Sequence, residues 1–164
     1  MTLATALFLA LTATQVDDAR EQAVRHLIRA DKAPDFRAYC LAIQNSQAKL
    51  PATREGQVDQ LLKQPPEDAT PWFLRRFREL PHRVIPQSSC TKVVSQGDEE
   101  VVESGKAGPA LMIFMGPVDI GPDDRVRLVI FTTSGSLTET FTLYEVGKVQ
   151  GQWKVLSTRI LLQA

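Results

Sequence analysis

Cys40 and Cys90 are the chain's two cysteines and the first residues whose chemistry has to be decided. An even pair with no CxxC spacing suits a structural disulfide in an oxidising compartment. Closing a loop of this length would stabilise a small domain by roughly 4 kcal/mol on chain-entropy grounds. The other reading is a pair of buried thiols in a cytosolic protein. A Cys/His zinc cluster is disfavoured, because the chain's only histidines, His26 and His82, lie far apart in sequence. A catalytic thiol would need a neighbouring base, and only His82 is a candidate to approach Cys90.

The second constellation is basic. Arg75, Arg76 and Arg78, followed by His82 and Arg83, form the one local cluster of positive charge. Guanidinium groups in such a cluster can grip a phosphate, a carboxylate or an acidic partner protein. The alternative is a solvated helix face balanced by Glu79. His26, beside Gln22, Arg25 and Arg29, reads as a solvated residue. Asp98-Glu99-Glu100 and Asp123-Asp124 lack the alternating oxygen-ligand spacing of a calcium loop and read as solvated hairpin tips. No GxSxG elbow nominates a nucleophilic serine and no glycine-rich loop cradles a phosphate, so no catalytic residue, metal or cofactor is expected.

Several elements must position these residues. Val16, Ala19, Ala23, Val24, Leu27 and Ile28 recur at three- and four-residue spacing, which predicts an amphipathic helix ending near Ala30, before Pro34. Asp17 and Asp18 are expected in its first turn, and Arg25 and Arg29 in its last. Phe36 to Ile43 is apolar on both parities and fits a strand buried on both faces, with a helix as the alternative. Asp59, Leu61 and Leu62 suggest a short helix stopped by Pro65-Pro66. Thr70-Pro71 is an N-cap with proline at the first helical position, and Trp72, Phe73, Phe77 and Leu80 form the apolar stripe of the helix that follows.

From Val84 onward, apolar and β-branched runs alternate with turn residues. Val84-Ile85, Lys92–Val94, Val101–Glu103, Ala110–Met115, Arg125–Phe131, Leu137–Val146 and Trp153–Leu162 are strand candidates. Their short connections favour antiparallel pairing. The expected fold class is therefore α+β: N-terminal helices packed on one face of a curved antiparallel β-sheet.

The N-terminus stands apart. Leu3 to Leu11 is uncharged and has the length of a signal-peptide apolar region, too short to span a bilayer. Thr12 to Gln15 follows as a small, polar exit. Residues 1–14 are read as a signal peptide cleaved after Ala13, and 15–164 as a single domain, periplasmic or secreted, with no stable transmembrane anchor. The alternative is a first helix packed on the core. With 164 residues, 43% of them hydrophobic, one core is the default. The 19 basic and 19 acidic side chains cancel, the pI is near 6.7 and the mean hydropathy is −0.13, which disfavours nucleic acid as a partner and intrinsic disorder as a state.

Val84-Ile85-Pro86 leading to Ser88-Ser89-Cys90, then Pro109-Ala110, Tyr144 and Gly151-Gln152-Trp153-Lys154-Val155, resembles the C-terminal half of cystatin-like or NTF2-like bacterial exported proteins. The resemblance implies a long helix cradled by a curved antiparallel sheet. It carries no active site across, because no Asp here matches the acid of the ketosteroid-isomerase type. The functional expectation is a non-enzymatic accessory or binding domain that meets an unknown protein or small ligand. Two alternatives stand beside it: a small NTF2-like hydrolase or isomerase, and an immunity or inhibitor protein that binds a secreted partner.

Overall fold

The computed structural model describes residues 11–30, 36–135 and 138–164. Helix α1 (Ala13–Ala30) leads to strand β1 (Ala38–Ile43), helix α2 (Arg54–Leu62), β2 (Glu67–Asp68), helix α3 (Pro71–Leu74) and β3 (Arg83–Pro86). A hairpin of β4 (Cys90–Ser95) and β5 (Asp98–Glu103) comes next, then β6 (Ala110–Met115), β7 (Asp119–Ile120), β8 (Val126–Thr133), β9 (Glu139–Val149) and β10 (Gln152–Gln163). The class is α+β with a mostly antiparallel sheet.

In α1 the apolar residues at three- and four-residue spacing are all buried against the sheet. The helix starts earlier than its apolar pattern implies. Thr12 and Gln15 form a reciprocal capping box: the Gln15 N–H donates to Thr12 Oγ1 at 3.2 Å, and Gln15 Oε1 accepts from the Thr12 N–H at 2.9 Å. Asp17 and Asp18 consequently fall outside the first turn, which holds no acidic residue, and they pair instead with Arg20 and Arg76. Of the expected leader, residues 1–10 lie outside the described residues, while Leu11 is buried in the same core as α1. Pro34, expected to stop the helix, and the first residue of the strand expected from Leu137 also lie outside them. No helix among the described residues is long and apolar enough to cross a membrane.

Strand β1 is buried at all six positions, as its two apolar parities require. It does not precede the sheet but lies inside it. One edge of β1 pairs in parallel with β6; along the other, Ala38–Leu41 pair in parallel with β3 and Ala42–Ile43 pair antiparallel with β2. From β6 the sheet runs antiparallel through β8, β9 and β10. The expected antiparallel meander is thus corrected to a mixed sheet. The chain returns to β1's side only through long crossovers that carry α2 and α3, and crossovers of that length permit parallel pairing.

The helices also divide between the two faces, where one face was expected. Strand alternation directs Tyr39, Leu41, Leu111, Ile113, Leu128, Ile130 and Tyr144 toward α1, Phe73 and Phe77. The opposite parity sends Val129 and Phe141 toward Leu61 of α2, and Ala38, Cys40, Ala110 and Met112 toward the β4–β5 hairpin. In the α3 region the Thr70 cap is present, with the Phe73 N–H donating to Thr70 Oγ1 at 3.2 Å. The stripe is narrower than expected: Phe73 and Phe77, four residues apart, are buried, whereas Trp72 is 65% exposed. Adjacent helical positions diverge by about a quarter turn, so only one of Trp72 and Phe73 can face the core.

The hairpin forms its own two-stranded sheet. It is held to β1 by the Cys40–Cys90 disulfide, with Cα atoms 6.2 Å apart. It is also held at the end of β8, where the Val101 N–H donates to the Ser134 carbonyl at 2.8 Å. A Cβ on Gly135 would lie 2.0 Å from the Glu99 carbonyl oxygen, so this close approach requires glycine.

Candidate functional site

A cavity of about 340 Å³ opens on the helical face of the sheet, between the C-terminal end of α1 and strands β8 and β9. Leu27, Phe36, Leu111 and Ile130 supply its apolar lining, and Thr132, Ser134, Thr138, Thr140 and Thr142 supply hydroxyls. The hydroxyls converge because of strand periodicity. Thr132, Thr140 and Thr142 alternate with Phe131, Phe141 and Leu143, which pack on the other face, and β8–β9 register sets Thr132 opposite Thr140 and Ile130 opposite Thr142.

Tyr144 also lines this cavity and is 5% exposed. Its phenol makes no hydrogen bond to another described residue, and its ring meets His26 edge-on at 6.0 Å. Burial pushes the Tyr144 phenol up from 10.0 to about 12, because the phenolate is disfavoured in a desolvated site. The sign follows from the folded state holding the proton more tightly. The contribution is fully present below pH 10, the ordinary value, and is lost as pH rises toward 12. Wild-type stability should therefore fall across that window by about 2–3 kcal/mol more than that of Tyr144→Phe. Denaturant titrations of the two proteins across the window would check this, and parallel curves would refute it.

The expected basic cluster is dispersed. Arg76 turns inward to Asp18 and Glu21, both at 2.8 Å. Burial opposes its charge, but the hydrogen bonds to those carboxylates outweigh it and raise its pKa. Arg25 joins the same network through Glu21 at 2.7 Å and through Glu79, and its guanidinium donates to the Arg76 carbonyl at 2.5 Å. His82 packs edge-on against Tyr39 at 5.8 Å, and Arg83 pairs with Glu103 at 2.6 Å. Arg75 and Arg78 remain exposed, with no ion pair among the described residues. Asp98, Glu99 and Glu100 lie exposed on the hairpin, and no group of three or more His, Cys, Asp or Glu among the described residues is placed to hold a metal ion.

Sequence reasoning missed the hydroxyl face, although its signal was legible: Thr140-Phe141-Thr142-Leu143-Tyr144 alternates with period two inside a predicted strand. It also missed Arg37 and Lys106, isolated cations that only tertiary structure brings beside Arg83. The fold and these sites define an α+β domain stapled by one disulfide, with a hydroxyl-lined cavity beside its first helix. Comparison of the chain with protein-family models, with curated protein sequences and with solved structures finds no match in any of the three.

Proposed function

We propose that the chain is an exported, non-enzymatic binding domain of the cystatin-like or NTF2-like kind, and that it holds a small, neutral, amphipathic ligand on the helical face of its sheet. The observation that carries this reading is the Tyr144 phenol, which has no hydrogen-bond partner among the described residues and faces a cavity that pairs threonine hydroxyls with an apolar lining. A ligand's polar atom would take the hydrogen bond that the phenol otherwise offers to solvent in the cavity. The apolar part of the same ligand would cover Leu27, Phe36 and Ile130. Tyr144 is the ionisable side chain among the described lining residues, and a pKa near 12 keeps it a neutral hydrogen-bonding group at physiological pH. That favours reversible binding over proton transfer. The disulfide and the apolar leader support export, to the periplasm or beyond.

The test is titration with 1-aminoanthracene, a neutral amphipathic fluorophore. The wild-type chain should give a saturable, one-to-one fluorescence increase, and Thr132→Phe, which fills the cavity, should abolish it while leaving the circular dichroism unchanged. No saturable signal from the wild-type chain, or an undiminished signal from folded Thr132→Phe, would overturn the reading.

A further inference from the structure

We propose that the cleft at the beginnings of β1, β3 and β6 is a binding site for a small oxyanion, in which Arg37, Arg83 and Lys106 grip a carboxylate or phosphate group. The cleft is separate from the cavity beside α1 and holds about 480 Å³. Its position follows from the parallel part of the sheet. Ala38 is in register with Arg83 on one side and with Ala110 on the other, so three strands start at one edge. Neighbouring strands lie only about 4.8 Å apart, which brings Arg37 and Arg83 together there. Lys106 arrives from the connection between β5 and β6.

Charge in this cleft is unbalanced. Glu103 is its carboxylate, and it accepts from Arg83 at 2.6 Å and from Lys106 at 2.9 Å. The hydrogen bond from Lys106, with help from Arg83, holds the Glu103 carboxyl below its ordinary pKa, so it stays ionised and fixes both cations in place. Arg37 has no ion pair among the described residues. Three cations against one carboxylate leave a formal surplus of two positive charges. The other polar clefts are closer to balance: Asp18 and Glu21 share one with His26, Arg29 and Lys154, and in another Asp119 engages Arg127 at 2.5 Å, which leaves Lys49 as a surplus of one.

Arg37 is also shaped for the role. Its N–H donates to the Pro109 carbonyl at 2.9 Å, which pins the start of β1 to the far wall of the cleft. Its side chain lies across Gly108, where a Cβ would come within 2.7 Å of Arg37 Cδ and 2.8 Å of Nε. Gly108 has a φ of +105°, a conformation that glycine adopts without strain. The guanidinium stem thus rests on bare backbone, and its fork offers the planar donors that carboxylate and phosphate oxygens accept.

The experiment is calorimetric titration of the oxidised, full-length protein with citrate and, separately, with inorganic phosphate at constant ionic strength. At least one of them should bind at a single saturable site, and the tighter of the two identifies the group recognised. Arg37→Gln, an exposed position with no ion pair to lose, should weaken binding roughly tenfold, the scale of one charge-assisted hydrogen bond. The Arg75→Gln/Arg78→Gln double variant, equally basic but elsewhere, should bind as the wild type does. Added sodium chloride should weaken binding through screening. Lys106→Gln is the second variant, in case Arg37→Gln fails to fold. Absence of saturation with both anions, an unchanged affinity in the folded cleft variant, or an equal loss in the Arg75/Arg78 variant would each overturn the site.

Discussion

Replacing Cys40 and Cys90 together by alanine is expected to lower the unfolding free energy by about 4 kcal/mol. The bond closes a loop of 50 residues, and opening it frees the denatured chain to explore conformations that the oxidised chain cannot reach. The native state loses a clamp as well. Cys40 lies in the most buried strand and Cys90 begins the hairpin, so their bond is the covalent link between β1 and β4–β5. Without it the hairpin depends on Val101, which is fully buried, and on the contact with Ser134 and Gly135. Amide hydrogen exchange should therefore accelerate more in β4 and β5 than in β8 and β9. Denaturant unfolding of the oxidised protein against the Cys40→Ala/Cys90→Ala variant measures the first effect. A difference under about 1 kcal/mol would show that the bond neither restrains the denatured chain nor holds the native one. The same bond bears on export: protein recovered from its native host should be lighter than the dithiol by the two lost thiol hydrogens, and a free-thiol mass would count against an oxidising compartment.

Phe77→Ala should cost a similar amount, about 3–5 kcal/mol, through lost burial and the cavity left behind. Phe77 is 2% exposed. Its ring lies edge-on to Phe73 at 5.4 Å, with the Arg25 guanidinium 5.5 Å above it. Removing the ring would hollow the core beneath α1 and loosen the support of Arg25, whose bonds to Glu79 and the Arg76 carbonyl tie α1 to this segment. Phe77→Leu keeps most of the volume and should cost about 1–1.5 kcal/mol. Trp72→Ala is the informative contrast. The stripe pattern groups Trp72 with Phe73 and Phe77, yet its exposure places it among surface substitutions, which usually change stability by less than about 0.5 kcal/mol. Urea unfolding of the three variants decides the matter, and a Trp72→Ala cost larger than that of Phe77→Ala would contradict the packing described for this segment.

The contrast between Trp72 and Phe77 shows where reading the chain directly reaches its limit. Helix α1 was legible because six apolar residues at helical spacing admit one buried face, and β1 was legible as a strand because both its parities are apolar. The start of α1 was misplaced because Thr12 and Gln15, read as a leader's polar exit, are also a capping box, and the two roles draw on the same small polar residues. The partners of β1 were not legible at all. An apolar strand states that it is covered on both faces but not by which neighbours, and long crossovers leave both parallel and antiparallel pairing open.

The candidate sites divide in the same way. Tyr144, Thr140 and Thr142 sit on a strand expected over Leu137–Val146 and found at Glu139–Val149, whereas Thr132 lies one residue past the run expected to end at Phe131. The oxyanion cleft had one member, Arg83, among the expected residues. Its other cations come from positions far away in sequence, and of the rest of the expected cluster Arg76 is drawn off by Asp18 and Glu21 of α1 while Arg75 and Arg78 stay exposed.

What this sequence determined by itself is local: one amphipathic helix, a strand buried on both sides, a succession of β-runs broken by turns, and a cysteine pair suited to a disulfide. Such features follow from side-chain periodicity and turn chemistry within a dozen residues or so. Tertiary structure alone decided that β1 enters the middle of the sheet, that the helices divide between its faces, and that Arg37 and Lys106 meet Arg83 while Arg76 is neutralised. Those outcomes depend on which distant segments pack together, and charge pairing and strand register are set by that packing rather than by spacing along the chain.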